Sequence, residues 1–158
     1  MGPTVVEIAA RLALALVAGG ALGLERQWHG KPAGLRTHMM VSLGAAAFVL
    51  ITLELYDAAI EAGGEHMRLD PLRLMQGLVG GIGFLGAGSI LRQGDSVEGL
   101  TTAASVWIAG ALGAACGGGH YVIAGLTTAF GLIVLLALGA LEHRIDDEEG
   151  PPNDEGSP

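Results

Sequence analysis

Five stretches of this chain, at 5–24, 39–59, 71–91, 100–118 and 121–141, are apolar for long enough to cross a membrane as helices. A hydrocarbon core of about 30 Å needs about 20 helical residues at 1.5 Å each, so five such runs leave lipid as the natural solvent. Composition agrees, with 51% hydrophobic residues, 15% charged residues and a mean hydropathy of +0.52. The formal charge of −8 is misleading: from Glu142 onward seven acids stand against one base, so that end alone carries −6. The acidity belongs to a tail. No basic run offers a phosphate-binding footprint, which excludes nucleic acid as a partner. Cys116 is the only cysteine, so no intramolecular disulfide can form.

The expected fold is an all-α membrane protein of about five transmembrane helices, divided into a membrane domain at 1–145 and an acidic, disordered tail at 146–158. Glu7 and Arg11 interrupt the first run where a signal peptide would be uncharged, so it reads as a retained span. Arg26, Lys31 and Arg36 in the first connection, Arg92 in the third and Arg144 after the fifth run share one side if there are five crossings. The positive-inside rule then places the N-terminus outside and the C-terminus in the cytoplasm. Asp70 before Pro71 reads as a helix cap opening the third span, and Thr101 and Thr102 after Gly99 open the fourth.

The string GLVGGIGFLGAGSIL holds Gly81, Gly83 and Gly86 at the spacing of a dinucleotide fingerprint. A ribose-binding acid is due about 20 residues on, where Val106 lies within another apolar run, so a Rossmann site is rejected. Gly77, Gly80, Gly83 and Gly86 instead recur every third residue, and Gly77 with Gly81 makes a small-xxx-small pair, so one flank of this helix can take another backbone. Each glycine also weakens the helix by about 0.8–1 kcal/mol relative to alanine, which leaves unwinding between Gly83 and Gly88 open as an alternative to close packing. Freed amides and carbonyls would then have to face protein or a wet cavity.

Ionisable groups inside spans cost about 2.5–3.5 kcal/mol each at the bilayer centre, so each needs a reason. Glu7 and Arg11, four apart on one helix face, can pair. Glu54, Asp57 and Glu61 share a stripe at the end of the second span, where hard oxygen ligands would suit magnesium or calcium; no cofactor is expected beyond such a Mg2+ ion. Glu25, Arg26, Arg36, Arg92 and Glu98 come to a common depth, and Glu25 and Arg26, as neighbours on a helix, should each find a partner on another segment. Arg73 and Gln76 sit about a turn inside the third span. The five histidines share no ligand spacing, and no GxSxG, HExxH or Walker lysine supports catalysis.

In combination, GLERQWHGKPAGLRTHMMVSLGAAAF, DPLRLMQGLVGGIGFLGAGSIL, GLTTAASVWIAGALGAACGGGHY and a leucine-rich span ending LE resemble the membrane domain of the MgtC/SapB family, over about 14–142. The resemblance implies a multi-pass protein of the bacterial inner membrane, associated with growth at low magnesium and with virulence-type stress. It implies a regulator of membrane partners, the membrane sector of ATP synthase among them, in place of a magnesium transporter outright. Carried over by position, the family's motif residues are Glu25, Arg26, Gly34, Leu35, Arg36 and Thr37, then Asp70, Arg73 and Gln76, then Gly81, Gly83, Phe84, Gly86, Gly88 and Arg92, and finally Gly99, Leu100, Thr101, Thr102 and Ala103. Glu98 stands where a basic or neutral polar residue is expected, and the residues after Glu142 are too few for the ACT-like domain of longer members. Two functions follow as expectations: a homo-oligomeric regulator without turnover, or a small transporter whose broken glycine helix lines a path with Arg36, Asp70, Gln76 and Arg92.

Overall fold

The computed structural model describes residues 2–62, 71–94 and 96–148. Five helices follow in order: α1 (Val5–Trp28), α2 (Leu35–Glu61), α3 (Pro71–Ala87), α4 (Leu100–Gly117) and α5 (Tyr121–Glu148). A small antiparallel hairpin, β1 (Leu91–Gln93) with β2 (Ser96–Glu98), joins α3 to α4. Helices α1, α2 and α4, of 24, 27 and 18 residues, are each long and apolar enough to cross a membrane. The apolar helical segments Leu72–Ala87 and Tyr121–Ala137 are shorter. The all-α class with five helices therefore holds, and among the described residues three of the five are long and apolar enough to span.

Touching residues fix the helix directions. Gly23 meets Leu35 and Gly19 meets Ser42, so α1 and α2 are antiparallel. His38 reaches Ser105 and Gly117 meets Ala46, so α2 and α4 are parallel. Gly86 meets Ala103 and Gly110 meets Ile82, which sets α3 against α4; Ala15 packs with Ala124 and Leu22 with Gly131, which runs α5 alongside α1. Directions thus alternate along the chain. The connection after α1, the hairpin and the C-terminal end of α5 consequently lie at one end of the bundle.

The centre is built from small side chains. Ala15, Ala46, Cys116 and Ala124 form one buried cluster and Leu22, Leu112 and Leu135 a second. A Cβ on Gly19 would lie 2.6 Å from Ser42 Cβ, one on Gly23 2.8 Å from Leu35 Cα, and one on Gly117 2.5 Å from the Ala46 carbonyl oxygen; one on Gly113 would overlap the Ser42 carbonyl. Two small-xxx-small pairs, Gly19/Gly23 and Gly113/Gly117, therefore bring α1 and α4 into backbone contact with α2. Large apolar side chains point outward instead, Phe84, Val122 and Phe130 among them, as a lipid solvent allows.

Helix ends correct four expectations. Glu7 does not pair with Arg11: its carboxylate takes the Thr4 amide at 2.7 Å while its own amide donates to Thr4 Oγ1, a capping box that occupies it at the start of α1. Arg11 instead donates through Nη1 to the Gly117 carbonyl at 3.0 Å, closing the C-terminal end of α4. The third run does not stay helical to Leu91. It stops at Ala87, where the Ser89 amide and hydroxyl both bond the Gly86 carbonyl, and a hairpin follows with Gln93 opposite Ser96 and Gly94 at φ 61 in its two-residue loop. At the start of α4 the N-cap is Gly99, at φ 88 and without a side-chain cap bond, so Thr101 and Thr102 fall inside the first turn.

At the other end of the chain, α5 runs to Glu148, three residues into the expected tail, since adding a residue to a helix already begun needs no new nucleus. Residues 149–158 lie outside the described residues, as does the proposed cap Asp70.

Candidate functional site

Where α1 ends against the start of α2, six polar side chains are buried among apolar surroundings: Glu25, Arg26, His38, Ser42, Thr102 and Ser105. Glu25 and Arg26 are only 3% and 4% exposed. They bond each other, with Arg26 Nη2 donating to Glu25 Oε1 at 2.8 Å and Nε to Oε2. This corrects the expectation of separate partners. Neighbours on a helix diverge at Cβ, but a guanidinium on three methylenes reaches back to the adjacent carboxylate, and burial makes a bidentate pair the cheapest way to hold both charges. His29, half exposed, brings Nδ1 to 3.1 Å from Glu25 Oε1 and so links the pair to the bundle end.

His38 lies behind this pair and is fully buried. Its Nδ1 is 2.9 Å from the Gly34 carbonyl, which can only accept, so Nδ1 carries a proton. Its Nε2 lies 3.0 Å from Ser105 Oγ, itself 2.9 Å from the Thr102 carbonyl. A neutral His38 therefore leaves one Ser105 hydroxyl proton shared between two acceptors. Ser42 Oγ donates to the Ala15 carbonyl at 2.7 Å. Together these bonds tie α1, α2 and α4 at one level, and backbone contact at Gly19 and Gly23 brings the donors within reach. His38, Ser42 and Ser105 escape a search by motif spacing; the signal available for them was the small-residue spacing of the helices that carry them.

The other expected residues are more dispersed. Arg36 and Thr101 are exposed, Thr37 is half-buried and Thr102 is buried. Arg92 and Glu98 lie exposed on the hairpin, at the same end as Glu25, with Arg92 Nε donating to the Gly94 carbonyl at 3.0 Å. Arg73 and Gln76 are exposed on α3. Glu54 and Glu61 are exposed and Asp57 partly buried; among the described residues no group of three His, Cys, Asp or Glu side chains could hold a metal ion.

Helix α3 is continuous through its glycines, so the unwound alternative is not adopted, and Gly81, Gly83 and Gly86 lie within a helix, not at a strand-to-helix turn. The expected seam is also differently placed. A Cβ on Gly77, Gly80, Gly81 or Gly83 would meet nothing within 4 Å, and only Gly86 touches another helix, at the Ala103 carbonyl, 3.2 Å away. Gly88 lies just past the helix end. The intimate packing that glycine permits is used on α1 and α4, while α3 keeps most of its glycine surface uncovered.

The sequence model of the MgtC family matches residues 12–144. A relative named "Putative magnesium transporter YhiD" from Escherichia coli (strain K12) is 40% identical over 139 residues, which cover 88% of this chain and 64% of that protein. Protein MgtC of Brucella abortus is 41% identical over 133 residues, 84% of this chain and 50% of that one. Protein SrpB of Synechococcus elongatus is 38% identical over 142 residues, 84% of this chain and 75% of that one. This chain thus spans 64% of the length of YhiD and half that of MgtC. No solved structure matches it significantly.

Proposed function

The chain belongs to the MgtC family, and on that premise we propose that this membrane protein is a regulator without catalytic turnover, serving adaptation to magnesium limitation as a homo-oligomer joined through α3. In this reading it is a multi-pass protein of the bacterial inner membrane, with its N-terminus outside and its C-terminus in the cytoplasm. One observation carries the reading. Gln76, Gly80, Gly83 and Ala87 recur at i, i+4, i+7 and i+11, hence on one face of α3, and all four are exposed. Small residues let a second backbone approach, and a glutamine amide, both donor and acceptor, satisfies its own copy across a two-fold axis. The same geometry suits a second copy of this chain better than a partner that would need a matched polar group at that depth.

Gly83→Leu is the test. Nothing within 4 Å obstructs its side chain inside the protomer, so the bundle should keep its wild-type melting behaviour while self-association in detergent weakens about tenfold, read by light scattering or cross-linking. A variant that associates as tightly as the wild type rejects the joint. The membrane partner implied by the resemblance, the ATP synthase membrane sector, is sought by pull-down from solubilised membranes.

The relative's name favours a second reading, in which the chain transports magnesium. Against it stands the use of the buried polar groups on one another, which supports a tie between helices more than a path. Liposomes bearing the purified protein are expected to pass no more magnesium than empty ones. Flux that Asp70→Asn abolishes would establish the transporter instead.

A further inference from the structure

A different face of α3 bounds a groove of about 570 Å3 between α2 and α3, with Gly44, Gly77 and Gly81 on its floor and Phe48 and Leu85 among its walls. None of these three glycines has an atom within 4 Å of where a Cβ would stand, so the floor is bare backbone. The lining is apolar except for one residue, Arg73, and among the described residues Arg73 has no carboxylate partner. An apolar trough with one cation that no described carboxylate pairs is the complement of an amphiphile with an anionic head.

Chemistry and dimensions select the occupant. A helix of about 10 Å diameter would seat one face in the groove and would need an acidic side chain to answer Arg73, whereas a phospholipid brings the apolar chain and the anion together. The groove suits an extended hydrocarbon chain. Along α3 from Arg73 to Leu85 the groove is about 18 Å long, close to the roughly 15 Å depth of one leaflet's hydrocarbon. Arg73 sits in the first turn of α3, where its long side chain can reach the headgroup level and fork two donors onto a phosphate.

We propose that the groove between α2 and α3 binds one anionic phospholipid, with an acyl chain lying over Gly44, Gly77 and Gly81 and its phosphate held by Arg73. Neither Gly80 nor Gly83 lines the groove, but Arg73 and Gly77 share a flank of α3 with Gly80 at i, i+4 and i+7, so the site borders the oligomeric joint and the Gly81→Leu and Gly83→Leu variants tell the two apart. A zwitterionic lipid of equal chain length fills the same groove but brings its own cation to the phosphate, and so gains less from Arg73.

The test uses the full chain, delipidated in detergent, titrated with phosphatidylglycerol or phosphatidylcholine of matched chains and read by native mass spectrometry. One phosphatidylglycerol is expected to stay on each chain, about tenfold tighter than phosphatidylcholine. Arg73→Gln should erase that preference while leaving lipid in place. Gly81→Leu, whose side chain enters open space within the fold, should expel both lipids at unchanged oligomer size. Glycerol phosphate without chains should not displace the lipid. Equal retention of the two lipids by the wild type, retention indifferent to either substitution, or a change of oligomer size in Gly81→Leu would overturn the proposal; the last would mean that a helix occupies the groove.

Discussion

Gly113→Leu is expected to abolish the folded bundle. At Gly113 an added Cβ would overlap the carbonyl of Ser42, and the Cα of the same residue stands only 2.8 Å away. Backbone cannot rotate aside as a side-chain tip can, so α2 and α4 would have to separate. That separation also strains His38 against Ser105 and Gly117 against Ala46, since both contacts hold the same pair of helices. Overpacking a well-filled interior costs about 1–3 kcal/mol, and a backbone obstacle puts this case at about 3 kcal/mol or beyond. Even Gly113→Ala should destabilise, whereas Gly125→Ala, in open space on α5, should stabilise by about 0.5–1 kcal/mol through helix propensity alone. Unfolding by dodecyl sulfate, followed by circular dichroism, checks both; equal effects at the two positions would refute backbone contact as the cause.

The second large effect is expected at the buried ion pair. Glu25→Gln leaves the Arg26 guanidinium, 4% exposed, without its counter-charge and should cost about 3–5 kcal/mol. Replacing the pair together, Glu25→Leu with Arg26→Met, removes both charges at similar volume and should recover most of that loss, because the desolvation penalty disappears with the attraction. The comparison separates pairing from bulk. If the double variant is as unstable as Glu25→Gln, the pair does more than neutralise itself, and the link through His29 becomes the place to look.

Much of the architecture was legible in the sequence. Apolar runs located every helix, and the parity of basic residues anticipated that the first and third connections share an end of the bundle. The end of α3 was not legible from hydropathy, because Ile90 and Leu91 prolong the apolar run past the turn where the helix stops. The signal was local chemistry: Gly94 and Asp95 between two short segments mark a hairpin loop.

At the site, charge out of place pointed to Glu25 and Arg26, but a helical wheel treats side chains as short spokes and so missed a pair joined around the helix. Glycine misled in a similar way. The densest string drew attention to α3, yet density does not say which face another helix occupies; the contacts went to the sparser Gly19/Gly23 and Gly113/Gly117 pairs, where α2 supplies the opposing backbone.

The bond between Arg11 and the Gly117 carbonyl spans 106 residues of sequence, and that separation has a consequence for biogenesis. At about 5–20 residues per second, a ribosome needs roughly 5–20 s after making Arg11 before its acceptor exists. During that interval the first helix must reside in the bilayer with an unmatched cation, its guanidinium drawn up to the headgroups, until the fourth helix arrives to relieve it. The nascent chain thus matures by late recruitment of its earliest arginine.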